Sequence, residues 1–322
     1  MKVLINAGVS SGPNEGLSDA HINRIIAVSE ELDVVVAGTP EEQEPHLADA
    51  EVILGRFDRN IFEKAKQLKV VMVEGAGVDN LLFDEFVGSD ITLVSAKGTV
   101  GTHLADHAWA LLLGLLRGTG RAVREKTWDI RQSIRDEAWE IGGKTLGIIG
   151  LGGTGVEVAK RAQAFDMDVI AVDPEEVVKP SFVREVWKPE RFHDLLELSD
   201  VVVICCPLTK ATRGMFNLEA FQHMRRHAIL VNVTRGPMID EASLIQALQQ
   251  GLIASAGLDV TPVEPLPEGH PLWTMKNVII TPHTSGGSPL RLDRWTEVVC
   301  NNLKRHMEGR PLLGIIDKEK GY

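Results

Sequence analysis

The chain has 322 residues, of which 44% are hydrophobic and 25% charged; this ordinary globular composition excludes disordered, collagenous and low-complexity classes. The length predicts two domains, large enough to fold without disulfide staples. Lys and Arg number 34 against 45 Asp and Glu, a net charge of −11, so no excess of cations exists to neutralise a phosphate backbone and nucleic acid is not expected as a partner.

Residues 1–16 carry a brief apolar run and then turn polar, too short a pattern for a secretory leader. The longest apolar stretch, residues 108–116 with Gly114 inside it, is too short to span a bilayer. Short β-branched runs begin at once and alternate with amphipathic stretches. Strands are predicted at 3–6, 33–37, 51–54, 70–74 and 92–95, with helices over 19–31 and 59–67 among them. Such alternation builds βαβ units and a parallel sheet, and five strands in about 100 residues make a flavodoxin-like unit.

A long helix is predicted over 104–116. The charged stretch 117–139 carries Trp128 and Trp139 and belongs to neither pattern. Exposed aromatic residues on such an arm suit a partner surface, so residues 104–140 are expected to help build a homodimer. A second series then follows, with strands at 145–149, 168–172, 201–206, 229–233, 255–259 and 278–281 and helices over 154–165, 189–198, 218–226, 241–250 and 289–307. Six strands with crossover helices fit a doubly wound Rossmann sheet. The last helix has no strand left to serve and is expected to return to the first domain. The chain is therefore read as α/β, with residues 1–100 and 288–322 forming a smaller flavodoxin-like domain and 101–287 a doubly wound domain of the dinucleotide-binding kind. The three cysteines, Cys205, Cys206 and Cys300, fit neither a disulfide framework nor a zinc cluster, which predicts a cytoplasmic protein.

The run Gly150-Leu151-Gly152-Gly153-Thr154-Gly155 follows an apolar strand and opens a helix, the context in which G-x-G-x-x-G binds a dinucleotide. Gly150 suits a tight turn, Gly152 close approach to a pyrophosphate, and Gly155 close packing of helix on strand. The next strand leads to Asp173, whose carboxylate can accept both ribose hydroxyls and would repel a 2′-phosphate, so NAD is favoured over NADP. A plain βα turn with Asp173 as a helix cap, or a methyltransferase loop, shares these features.

Three polar groups lie just past later strand ends: Arg235, Glu264 and His283. Each alone reads as an ordinary loop charge. Together they suit reduction of a 2-keto acid: a guanidinium matches a carboxylate bidentately, and a histidine beside a carboxylate has its charged form favoured, as a proton donor needs.

At these residues the chain resembles the D-isomer-specific 2-hydroxyacid dehydrogenase family. The likeness runs through the glycine loop, Cys206-Pro207-Leu208-Thr209 with Thr212, Asn232-Val233-Thr234-Arg235-Gly236, Gly257-Leu258-Asp259-Val260, Glu264-Pro265-Leu266-Pro267 and Pro282-His283, and is joined by residues 75–80 and by Leu104-Ala105-Asp106-His107. The resemblance implies that His283 exchanges a proton with the substrate oxygen, that Glu264 hydrogen-bonds His283 and supports its charged form, and that Arg235 holds the substrate carboxylate and polarises the carbonyl. Gly75 and the backbone N–H groups of Ala76 and Gly77 would complete the carboxylate cradle. Asp259 would sit near the nicotinamide amide, Cys206 and Pro207 on the adenine side, and Gly153, Thr154, Pro174, Thr212, Val233, Thr234 and Gly286 would join the cofactor contacts. The family is usually dimeric through the arm after Leu104.

The chain departs from the family at Thr234, where alanine is frequent, at Thr261, where an aromatic residue is common, and at residues 95–100, which lack a frequent proline. Lys97 reads as solvated, and Arg56 could meet a polar substrate tail. His103 and His107 have the spacing of metal ligands, but no third ligand is evident, so no metal is expected. Two other readings share the scaffold: a formate- or phosphite-type dehydrogenase, which Glu264 disfavours because formate oxidation releases no alcohol proton, and a nucleotide-sensing corepressor-like protein.

Overall fold

The structure, a computed structural model, describes residues 1–6 and 16–322; the opening segment read above as no leader lies partly outside them. The described residues divide into two compact units, Met1–Val100 with Ser288–Tyr322, and Gly101–Gly287.

The first unit is built on β1 (Lys2–Asn6), β2 (Asp33–Val36), β3 (Val52–Gly55), β4 (Val70–Met72) and β5 (Thr92–Val94). All pairs are parallel and the order is β2-β1-β3-β4-β5, the flavodoxin-like arrangement. β3 and β4 are buried throughout, which is why they read as unbroken apolar runs rather than alternating ones. Helices α1 (Asp19–Ile26), α2 (Pro40–Leu47), α3 (Arg59–Lys64) and α4 (Asp84–Val87) link them. The second of these was not expected from apolar periodicity. It starts on a capping box, the Thr39 side chain taking the Glu42 N–H while the Glu42 carboxylate takes the Thr39 N–H, and that signal was present in the sequence.

The second unit opens with α5 (Gly101–Leu116), followed by α6 (Thr119–Glu125) and α7 (Arg131–Glu137). Its sheet then accumulates through β6 (Thr145–Ile149), α8 (Gly153–Gln163), β7 (Asp168–Val172), β8 (Glu185–Trp187), α9 (Phe192–Leu198), β9 (Val201–Ile204), α10 (Leu218–His223), β10 (Ile229–Asn232), α11 (Glu241–Gln250), β11 (Ser255–Leu258), α12 (Pro271–Thr274) and β12 (Val278–Ile280). The seven strands lie in the order β12-β11-β10-β9-β6-β7-β8, all parallel. The core β8-β7-β6-β9-β10-β11 has the doubly wound order, with β12 added at one edge. The sequence predicted six strands. The seventh, β8, has three residues and pairs only at an edge, so it carries no apolar run to announce it.

Residues 117–139, which matched neither pattern, carry the two short helices α6 and α7. Arg121 binds Glu125, Ser133 and Glu137, tying α6 to α7. Trp128 is 85% exposed, whereas Trp139 packs partly buried against the core of its own unit with the Lys144 ammonium 5.7 Å over its ring. One of the two tryptophans expected to face a partner is therefore used at home.

The last helix, α13 (Arg291–Met307), belongs to the first unit. Trp295 on it is 1% exposed and its indole N–H donates to the Val73 carbonyl at 2.9 Å. Beyond it, Ile316 N–H donates to Leu93 O at 2.9 Å, and the Lys318 ammonium reaches the carbonyls of Phe86, Ser89 and Ile91. Among the described residues no helix is long and apolar enough to cross a membrane.

Candidate active site

The glycine loop sits where the doubly wound sheet changes direction, between β6 and β9. Gly150 has φ +93°, and a Cβ there would stand 2.8 Å from the Cys206 backbone; a Cβ on Gly155 would stand 2.1 Å from the Gly150 oxygen. A side chain at Gly152, by contrast, would meet nothing within 4 Å. Gly152 also precedes α8 with no side chain to cap its N–H groups. The loop thus leaves open space in front of a helix end whose first N–H groups have no intrahelical acceptor, and these residues fit a dinucleotide pyrophosphate.

Asp173 follows β7. Its Oδ2 accepts the Leu151 N–H at 2.8 Å and its Oδ1 the Glu175 N–H at 2.9 Å, so it shapes the glycine loop itself. Each oxygen keeps a second acceptor site. Pro174 is exposed beside it, and the Lys188 ammonium lies against the Pro174 carbonyl and the Glu176 carboxylate. Thr212 accepts the Thr209 N–H and donates to Pro207 O, closing the loop after β9 on itself. Cys206 is buried against Met238, and burial pushes its thiol up to about 12.

Arg235, Glu264 and His283 follow β10, β11 and β12, three adjacent strands of one sheet. His283 Nδ1 and Glu264 Oε2 are 2.7 Å apart. The other carboxylate oxygen, Oε1, accepts the Thr261 N–H at 3.0 Å, which fixes the acid on its loop. His283 has φ +51°, a left-handed conformation that histidine tolerates better than most residues. Its own N–H donates to Asp259 O at 2.8 Å. Arg235 is partly buried and donates to the Thr234 carbonyl, while the Asn232 side chain grips the same loop at Thr234 N and Arg235 O. Gly236 lets that loop press on the next one: a Cβ there would fall 2.0 Å from the Thr261 carbonyl carbon and oxygen. Gly236→Ala should therefore push Arg235 and Glu264 apart, costing at least tenfold in kcat/KM with fold retained; an unchanged value would mean the two loops need no such contact.

Asp259 is the residue whose role the sequence concealed. It is 1% exposed. Its Oδ1 accepts from Thr281 Oγ1 at 2.6 Å and Thr284 N–H at 2.9 Å, its Oδ2 from Ser285 N–H at 2.9 Å, and His107 Nε2 lies 3.3 Å away. Burial opposes its ionisation, but the hydrogen bonds from Ser285, Thr281 and Thr284 outweigh that and hold its carboxyl below the usual range. The resemblance placed Asp259 beside the cofactor; in the structure its oxygens accept from the turn that presents His283, with Oδ2 taking one bond. His107, read from the sequence as part of the Leu104–His107 match and as having metal-ligand spacing with His103, abuts Thr281 at 2.7 Å and so belongs to the same support. Thr281, Thr284 and Ser285 were not singled out, because their partner lies on another strand.

The remaining residues are placed as follows. Val233 is buried at the end of β10, its carbonyl accepting from Ser285 Oγ, and a Cβ on Gly286 would meet open space. Gly75, Ala76 and Gly77 form the turn after β4 in the first unit, with Gly75 O accepting the Ala96 N–H. Arg56 has its backbone tied to Asn6 and its guanidinium exposed beside Asp58. Lys97 is exposed.

The family model described as D-isomer specific 2-hydroxyacid dehydrogenase, NAD binding domain, matches residues 109–285. A D-3-phosphoglycerate dehydrogenase of Methanocaldococcus jannaschii is 35% identical over 289 residues, covering 87% of this chain and 54% of that protein. A glyoxylate reductase of Korarchaeum cryptofilum is 34% identical over 270 residues, 82% of this chain and 80% of that one. The chain thus spans about half the length of the first relative and most of the second. A D-isomer specific 2-hydroxyacid dehydrogenase from Xanthobacter autotrophicus Py2, solved in complex with NADPH and MES, matches at a TM-score of 0.82 and 29% identity over 99% of both chains. With its second unit matched almost end to end and its two sheets in the expected order, the chain belongs to the D-isomer-specific 2-hydroxyacid dehydrogenase family.

Proposed function

We propose that the protein is an NAD-dependent oxidoreductase that interconverts a small D-2-hydroxy acid and its 2-keto acid. The observation that carries this reading is the 2.7 Å contact between His283, past β12, and Glu264, past β11, with β11 lying beside the β10 strand that leads to Arg235. A bound nicotinamide supplies hydride chemistry. Arg235 holds the substrate carboxylate and polarises the neighbouring carbonyl. His283 gives its proton to the carbonyl oxygen in reduction and takes one from the hydroxyl in oxidation, and Glu264, 2.7 Å from Nδ1, fixes the orientation of the ring. The Gly75-Ala76-Gly77 turn is assigned the substrate carboxylate on the resemblance alone.

A panel of glyoxylate, hydroxypyruvate, its phosphate ester and branched keto acids with NADH, run beside formate and phosphite with NAD, tests the assignment. Reduction of at least one keto acid is expected; turnover of formate or phosphite alone, or cofactor binding with no turnover, would overturn it. Asp173, followed by Glu175 and Glu176, supports NADH over NADPH by tenfold or more in kcat/KM. Equal use of both would remove that role from Asp173. We also place the protein in the cytoplasm, where its three free thiols are kept reduced, and as a homodimer that covers Trp128. A monomeric mass in solution would refute the dimer.

A further inference from the structure

The geometry points to a site for one divalent transition-metal ion of the zinc class in the second unit, ligated by His193 of α9 and by Glu219 and His223 of α10. Each offers one ligand atom, and these atoms all lie within 4.8 Å of one another. Glu219 and His223 are four residues apart on one helix and so share a face. The His193 ring is stacked on that of His223, with centroids 4.2 Å apart and planes 12° from parallel, so the two are neighbours and the partly exposed rings must turn out of the stack for one nitrogen of each to face the same ion.

A fourth residue prepares the site. Glu197 stands one turn after His193 on α9, and its carboxylate lies 2.7 Å from His223 Nδ1. A carboxylate there holds the proton on Nδ1 and directs the Nε2 lone pair outward, which is the arrangement that orients metal-bound histidines. The helices beneath are well anchored: Phe216 and Phe221 are fully buried, and Phe192 meets Phe216 edge-on at 5.4 Å. Zinc bonds to nitrogen of about 2.0–2.1 Å in a tetrahedron would bring ligand atoms to about 3.3 Å. The remaining contraction falls to partly exposed side chains that can turn.

Two imidazoles and a carboxylate select zinc, cobalt, nickel or copper over calcium and magnesium. Three protein ligands leave the fourth position to water. Glu197 and His223 precede the starts of β9 and β10, at the opposite end of these strands from the loops bearing Arg235 and Cys206. The ion would therefore pin α9 to α10 without touching the reacting atoms.

The test uses the untagged full-length protein after chelator treatment. Cobalt(II) is titrated by visible absorbance and zinc(II) by calorimetry. One ion per chain at micromolar affinity is expected, together with a higher Tm in zinc. His193→Ala/His223→Ala should abolish the binding, and the exposed Glu219→Gln should weaken it by about tenfold or more. Absence of micromolar binding by the wild type overturns the site. So does unchanged affinity and stoichiometry in the variants, the Glu219→Gln protein serving if the double variant does not fold.

Discussion

Replacing His283 with asparagine should lower the rate of keto-acid reduction by about 10²–10⁴-fold, the usual contribution of a positioned proton donor, while cofactor affinity stays near that of the wild type. Asparagine is the informative choice, because His283 has φ +51° and asparagine tolerates that region, whereas alanine adds about 1–2 kcal/mol of backbone strain. Glu264→Gln should fall between this variant and the wild type, since a neutral amide can still accept from Nδ1 and hold the ring but supplies no charge beside the proton being moved. Stopped-flow and steady-state absorbance in both directions read these effects. Full reductive turnover by His283→Asn would remove the histidine from the chemistry.

The second large effect concerns stability. Asp259→Ala should destabilise the protein by about 1–3 kcal/mol, the cost of leaving buried donors unsatisfied, because the Thr281, Thr284 and Ser285 donors lose their shared acceptor. The sign of the pH dependence follows from the depressed carboxyl of Asp259. A group held below its unfolded value stabilises fully above that value, about 3.9 for aspartate, and the contribution disappears as pH falls through the lower folded value. The stability gap between wild type and Asp259→Asn in urea should therefore be widest at neutral pH and narrow below about pH 4. A gap that stays constant down to pH 3 would show that the carboxylate's charge is not what holds the turn.

The parts of the molecule legible in the sequence were those governed by local rules. β6 and β7 are unbroken apolar strands, Gly150 to Gly155 a motif with a stated backbone geometry, and the three polar groups follow strand ends where a parallel sheet gathers its loops. What the sequence hid depends on contacts between distant residues. β8 is held by pairing with β7 rather than by its own apolar content. The two arm helices are short, bury no residue of their own, and stand through Arg121 and its partners. Asp259 looks like any acid until the strand beside it supplies three donors. The His193 and His223 pair becomes visible only when α9 and α10 are laid side by side.

The split of the first unit across 101–287 has a consequence for biosynthesis. β1 to β5 emerge from the ribosome early, yet Trp295, Ile316 and Lys318, which cap Val73, Leu93 and the α4 turn, are translated only after the whole of 101–287. The later-made Rossmann unit can complete itself first, reversing the usual vectorial order, so the nascent N-terminal strands are the ones left open to proteases until those residues emerge.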